Sequence, residues 1–227
     1  SSRSLSSCRS FGQPTLALCK KPKLASVLQH ASTVFLRRNL RKAPAQRSLT
    51  ALRTNSYRSG AMSRRRCPIA AHRDEILYAL EDKDAVVVIG AAGSGKSTQL
   101  PRYLVEGGWA APPRCVVSAQ PRRATASDVA TRIADDLGCD RVGDAVGLAA
   151  AGDERWDASR TRILVATDGW LLRTALLDPL LKHFSVVVVD EAHERTLNQD
   201  LLMGLVKKVQ KRRKELGDPL RVVIALA

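Results

Sequence analysis

Two short stretches carry side chains whose types and order could handle a nucleoside triphosphate. The first, Gly90 to Ser97, reads G-A-A-G-S-G-K-S and fits the phosphate-loop pattern G-x-x-x-x-G-K-[ST]. Backbone N–H groups can wrap a polyphosphate only where no Cβ intrudes; Gly90, Gly93 and Gly95 allow that approach and the positive-φ conformations it needs. Lys96 would reach the β- and γ-phosphates, and the Ser97 hydroxyl would ligate Mg²⁺. Ser94 and Thr98 complete the expected nucleotide-binding set. A helix starting near Lys96 would aim its positive dipole end at the phosphates. The competing reading is an ordinary Gly-rich turn, and the apolar run Val86–Ile89 immediately before it favours the phosphate reading. The second stretch, V-V-V-V-D-E-A-H at 186–193, ends an apolar run on two carboxylates. Asp190 is suited to hold Mg²⁺, often through its waters. Glu191 is suited to orient and deprotonate an attacking water, which in-line phosphoryl transfer requires. Alone, such a pair could equally open a solvated turn; downstream of a phosphate loop, chemistry is the stronger reading.

The elements that must position these residues alternate between strand and helix. Apolar β-branched runs predict strands at 86–89, 115–118, 163–166, 185–189 and 221–226. Helical spacing predicts helices over 71–81, 96–106, 124–137, 170–177 and 197–213, the last with Lys and Arg gathered in its final turns. Residues 140–160, rich in Gly, Ala and Asp, read as irregular or weakly paired. The alternation, together with the phosphate loop, predicts an α/β P-loop NTPase with a parallel sheet and helices on both faces. Ligands of such sheets bind at the carboxyl ends of strands, where both motifs fall.

Charge divides the chain. Residues 1–73 hold 16 Lys and Arg and no acid, whereas 74–227 are close to neutral. The net charge of +15 therefore belongs to the leading segment, and any nucleic-acid surface on the folded part must be a local patch. Five cysteines with no C-x-x-C pair argue against a disulfide scaffold or zinc site and suit a reducing compartment. No apolar run approaches the length of a membrane span, so no membrane partner is expected. Residues 1–61 have transit-peptide composition, and 24–40 could form a basic amphipathic helix on meeting a receptor or membrane. Two competing readings are a disordered basic tail holding RNA loosely and a leader outside the working protein, since Met62 is the first methionine. The transit reading implies a mitochondrion or plastid; a start at Met62 implies the nucleus or cytosol.

D-E-A-H-E-R-T-L-N-Q-D-L-L at 190–202 resembles the DEAH-box RNA helicases of superfamily 2. Gly90–Thr98 with Gln99-Leu100-Pro101 looks like that family's motif I, Gln120-Pro121-Arg122-Arg123 like motif Ia, and Thr167-Asp168-Gly169 with Leu171-Leu172-Arg173 like motif Ib. The likeness covers 67–227 and lies nearest the branch associated with pre-mRNA splicing. It implies a sheet of RecA-like type and an ATP- and Mg²⁺-dependent enzyme acting on RNA, with Lys96 and Ser97 on phosphates and metal, Asp190 on metal and Glu191 as base. His193 would couple nucleotide to RNA; Arg122, Arg123, Thr167 and Asp168 would lie along the RNA; Arg132 would stack on the adenine. Implied partners are RNA, a second RecA-like lobe and spliceosomal or other ribonucleoprotein components.

There are departures. Ala91-Ala92 replace the family's Glu-Thr, Asp144 and Gly147 stand where an aromatic and a basic residue are expected, and Leu226 occupies the serine of a Ser-Ala-Thr motif. The second lobe and the C-terminal accessory domains do not follow, so 67–227 is expected to be a helicase ATP-binding domain truncated at its C-terminal end. Three functions follow: the first lobe of an ATP-dependent RNA helicase, feeble when isolated; a non-catalytic nucleotide- or RNA-binding module; or another P-loop enzyme such as a small-molecule kinase. The third predicts neither Gln-Pro-Arg-Arg nor Asp-Glu-Ala-His, and both are present.

Overall fold

A computed structural model describes residues 67–227 and, before them, the backbone of one strand at Ser32–Phe35. The expectations placed on the rest of 1–66, including the transit, tail and leader readings, lie outside the described residues. The strand itself, β1 (Ser32–Phe35), lies within 24–40, the stretch that could become helical on meeting a receptor or membrane. Thr33, Val34 and Phe35 are strand-favouring types, and β1 pairs in parallel with the edge of β2 (Ala85–Ile89) in the register Ser32↔Val86 to Phe35↔Ile89.

A short 3₁₀ turn at Pro68–His72 leads into α1 (Arg73–Asp82), which begins with Asp74 and Glu75 in its first turn. After β2 come α2 (Lys96–Glu106), β3 (Cys115–Gln120) and α3 (Arg123–Leu137), the last stopped by Gly138 in the left-handed conformation. Then follow β4 (Val146–Ala150), β5 (Asp153–Arg155), β6 (Ile163–Thr167), α4 (Asp168–Leu177), β7 (Phe184–Val189), α5 (Leu197–Glu215) and β8 (Arg221–Leu226). They build one sheet in the order β1-β2-β8-β7-β3-β6-β4-β5, parallel except for the β4–β5 hairpin. This is the expected RecA-like α/β architecture.

One expectation fails at 140–160. Val146–Ala150 is a fully buried strand paired in parallel with β6, and it turns back into β5. Its small residues fit because the space above Gly147 is taken: a Cβ there would stand 2.5 Å from that of Trp156. Small side chains hid the strand, because packing rather than β-branching selects them.

Alternation along each strand feeds two sides of the sheet. Val87, Val117, Val187 and Leu164 pack with Trp170, Leu171, Leu202 and Val206, so α4 and α5 cover one face. Val86, Val88, Val186 and Val223 meet Ile76, Leu80, Leu100 and Leu104 of α1 and α2, while α3 closes over Val146 and Val165 on that same side. Both motifs therefore emerge at the carboxyl edge of a sheet buried on both faces.

Candidate nucleotide site and its nucleic-acid-facing edge

The loop 90–95 is shaped by its glycines at two points. Gly93 has φ +74°, with open space where a Cβ would be. Gly95, at φ +96°, is the helix N-cap of α2, and a Cβ there would meet Cys67 at 2.9 Å. The 3₁₀ turn thus backs the loop, and Ile69 N–H donates to the Ser94 carbonyl at 3.2 Å. From the first residue of α2, Lys96 folds back into the loop and donates to the carbonyls of Gly90 and Ala91 and, at 3.4 Å, to the Ser94 hydroxyl. The Lys96 residue is 5% exposed, and no ion pair among the described residues includes it. A buried ammonium with only neutral acceptors lacks compensation, and an anion is what such a cradle fits. Ser97 and Thr98 follow on the first turn of α2, half-buried at the loop.

Across β8 the opposite situation holds. Asp190 is fully buried at the end of β7, and its carboxylate meets only neutral donors: Gln120 Nε2 at 2.8 Å and the Glu191 N–H at 2.9 Å. A buried carboxylate without a cation beside it suits a metal ion as firmly as Lys96 suits a phosphate. Gln199 of α5 donates to the Asp190 carbonyl at 2.9 Å, so residues from β3 and α5 fix the turn. Glu191 holds a left-handed backbone, φ +50°, rare for a residue with a side chain. The last residues of β8 tie the two motifs together, with Gly90 N–H donating to the Leu226 carbonyl and Ala192 N–H to that of Ala225, both at 3.1 Å.

His193 is exposed, its Nε2 lies 3.4 Å from a Glu191 carboxylate oxygen, and its Nδ1 accepts from the Ala227 N–H at 3.4 Å. Next to it in the chain, Glu194 reaches toward motif Ia. That carboxylate pairs with the exposed Arg122 at 3.0 Å. Arg123 opens α3, exposed, and Arg132 lies exposed one turn before Asp136, which accepts from Gln99 of α2 at 3.1 Å. Thr167 and Asp168 are both buried. The Thr167 hydroxyl caps α4 by accepting from Trp170 N–H at 3.4 Å. Asp168 is 2% exposed with both carboxylate oxygens unpartnered. Burial, with the charges of Glu194 and Asp190 adding to it, pushes its pKa up to about 6. The Asp168 carboxyl is therefore an interior group, whereas Arg122 and Arg123 are exposed.

The residues that sequence reasoning missed are Gln120, Gln199 and Glu194. All three lay inside recognised motifs, but their roles depend on contacts between elements distant in sequence, which no local spacing displays.

A phosphate loop and a strand-end aspartate at the carboxyl edge of this sheet define a P-loop NTPase of RecA-like type. The chain belongs to the DEAD/DEAH box helicase family, whose sequence pattern matches residues 70–220. It is 43% identical over 189 residues to the human probable ATP-dependent RNA helicase DHX35, covering 82% of this chain and 26% of that protein. It is 46% identical over 167 residues to the human ATP-dependent RNA helicase DHX33, covering 73% of this chain and 23% of the other. A Caenorhabditis elegans homolog of DHX35 is 41% identical over 162 residues, or 71% of this chain and 21% of the relative. The chain thus spans about a quarter of the length of the curated relatives it matches.

Proposed function

We propose that this chain is the ATP-binding lobe of an ATP-dependent RNA helicase, in which hydrolysis is coupled to RNA remodelling. The observation that carries this is the pair of uncompensated buried charges, the Lys96 ammonium and the Asp190 carboxylate, on two loops tied to one strand. Lys96, the N–H groups of Gly90 to Gly95 and the start of α2 would hold the triphosphate of ATP. Ser97 and Asp190 would hold Mg²⁺, which when bound neutralises charge developing on the transferred phosphoryl group. Glu191 would take the proton of the attacking water as its oxygen bonds to the γ-phosphorus and the bond to ADP breaks. Arg132 would lie against the adenine face and leave base selectivity weak.

Arg122 and Arg123 would contact the RNA backbone, and the Arg122–Glu194 ion pair would link that contact to the loop carrying Glu191. Completion of the cleft by a second RecA-like lobe, supplying arginines across it, follows from the family resemblance; without it hydrolysis should be slow. Calorimetry of the full chain with ATP tests the reading. Binding should require Mg²⁺ for full affinity, tolerate GTP nearly as well, and alter affinity for single-stranded RNA. ATP binding with no effect of Mg²⁺ or on RNA would leave only the alternative, a nucleotide-binding module without helicase coupling.

A further inference from the structure

A second surface lies on the far side of α4 and α5 from the sheet. The buried side of α5 presents Leu202, Met203, Val206 and Val209 to the core. A separate stripe of the same helix runs Leu197, Leu201, Leu205, Lys208 and Arg212, at steps of three or four residues. Leu197 and Leu201 are 75% and 55% exposed, and Leu176 and Leu177 at the end of α4 are 79% and 85% exposed. A surface helix normally carries one apolar stripe, so leucines on a second one mark a surface built to be covered. The two helices leave a groove lined by Ala175, Pro179, Leu180, Leu205 and Val209 together with Lys208 and Arg212, and the exposed leucines of both helices continue the apolar surface beyond it.

We propose that this groove docks an acidic amphipathic helix of another polypeptide. The charge of the site selects that occupant. Residues 207–214 hold six Lys and Arg and no acid. Arg213 among them is buried and Lys214 is paired with Asp84, while Arg212 makes an exposed pair with Glu215 that an incoming carboxylate can replace. The chain's own leading segment, with its 16 basic residues and no acid through residue 73, would meet like charge here. A second copy would set the same basic run against itself in a two-fold contact. RNA would match the two basic side chains but not a lining of Leu, Pro, Ala and Val that offers no ring for bases to stack on. From Leu197 to Arg212 the stripe is about 22 Å long, the length of a helix of about 15 residues. Leucines at i, i+3, i+4 and i+7, flanked by glutamates, would match it. The inference is independent of the nucleotide reading, although α4 starts from the Thr167–Asp168 turn and α5 follows the Asp190–Glu191 loop.

The test is a fluorescence-anisotropy titration of the full chain against a labelled synthetic helix of about 16 residues with that leucine spacing and glutamate elsewhere. A second peptide carries lysine in place of glutamate. The acidic peptide should bind, the lysine peptide should not, and the acidic peptide should lose at least about tenfold in affinity both in Leu176→Ser/Leu201→Ser and in Lys208→Glu/Arg212→Glu. Because all four positions are exposed, the variants should keep the native circular dichroism and melting curve. Amides of α4 and α5 should slow their hydrogen exchange when the acidic peptide binds. Equal binding of both peptides, affinity unmoved by either double variant, displacement by oligouridine, or a chain dimer that Leu176→Ser/Leu201→Ser dissociates would each overturn the proposal.

Discussion

Lys96 and Glu191 sit on the same edge of the sheet but answer to different chemistry, and substitution should separate them. Lys96 supplies a buried positive charge that only an added anion can compensate, so Lys96→Ala should weaken ATP binding roughly 10- to 100-fold, the equivalent of about 1.5–3 kcal/mol for a charge-assisted contact. Glu191 is half-buried and far less committed to its neighbours, so Glu191→Gln should keep ATP affinity within about threefold while removing turnover. Equal loss of ATP affinity in the two variants, read by calorimetry, would refute that division of roles. Asp168 gives a third prediction with a definite sign. Its folded pKa is raised to about 6, so between the ordinary carboxylate value and that point the folded chain binds more protons than the unfolded one. Stability from the buried neutral carboxyl is fully present below about pH 4 and is lost as pH rises through about 6, a change of about 2–3 kcal/mol. Asp168→Asn stays neutral, so its urea midpoint without metal should exceed that of the native chain near pH 7.5 and match it near pH 4. An unchanged difference across that range would place the Asp168 carboxyl in contact with water.

The same contrast between a charge and its surroundings governs α5. The basic run ending this helix looks, in sequence, like a solvated helix terminus favoured by the dipole. Arg213 departs from that picture, being 1% exposed. Its guanidinium donates to the carbonyls of Leu181 at 3.1 Å, Phe184 at 2.6 Å and Asp218 at 2.9 Å, and to the Asp218 carboxylate at 3.0 Å. One side chain thereby joins the α4–β7 connection to the α5–β8 turn. Burial alone would raise the Asp218 carboxyl, yet Arg114 and Arg213 hold it below the ordinary carboxylate range. A lysine has no planar fork to reach these acceptors at once, so Arg213→Lys should cost nearly as much as Arg213→Leu, which should lose about 3–5 kcal/mol in urea unfolding. A loss under about 1 kcal/mol would make the contacts incidental. This position also marks how far the sequence could be read. The unit from β2 through α2 was legible almost to the residue, because phosphate binding places strand, glycines, lysine and helix in one contiguous run. The span of α5 was legible too, though its buried face turns on Leu202, Met203, Val206 and Val209 and leaves Leu201 exposed. The burial of Arg213, the β4–β5 hairpin and the convergence of Gln120 and Gln199 on Asp190 were not, since each is decided by elements that meet only in the folded chain.

At the scale of the whole molecule, charge and fold part company, and that division determines how RNA would be held. The helicase-family region is nearly neutral, so an RNA contact there would have to be a local patch, for which Arg122 and Arg123 are the proposed pair, both exposed and the first ion-paired with Glu194. The 16 basic residues of 1–73 can add many phosphate contacts without shape or position to couple them to the nucleotide. Two arginines on single-stranded RNA account for a slope of only about 1.4 in log affinity against log salt, since each phosphate contact contributes about 0.7. The full chain should exceed that slope, and the excess should persist in Arg122→Ala/Arg123→Ala, whose own slope should fall by about 1.4. The nucleotide dependence of RNA affinity should disappear in the same variant, because the Arg122–Glu194 pair is the direct contact between that patch and the loop carrying Glu191. If the variant instead kept both the slope and the response to ATP, the coupling would have to run elsewhere, and the exposed arginines would be no more than a solvated strand end.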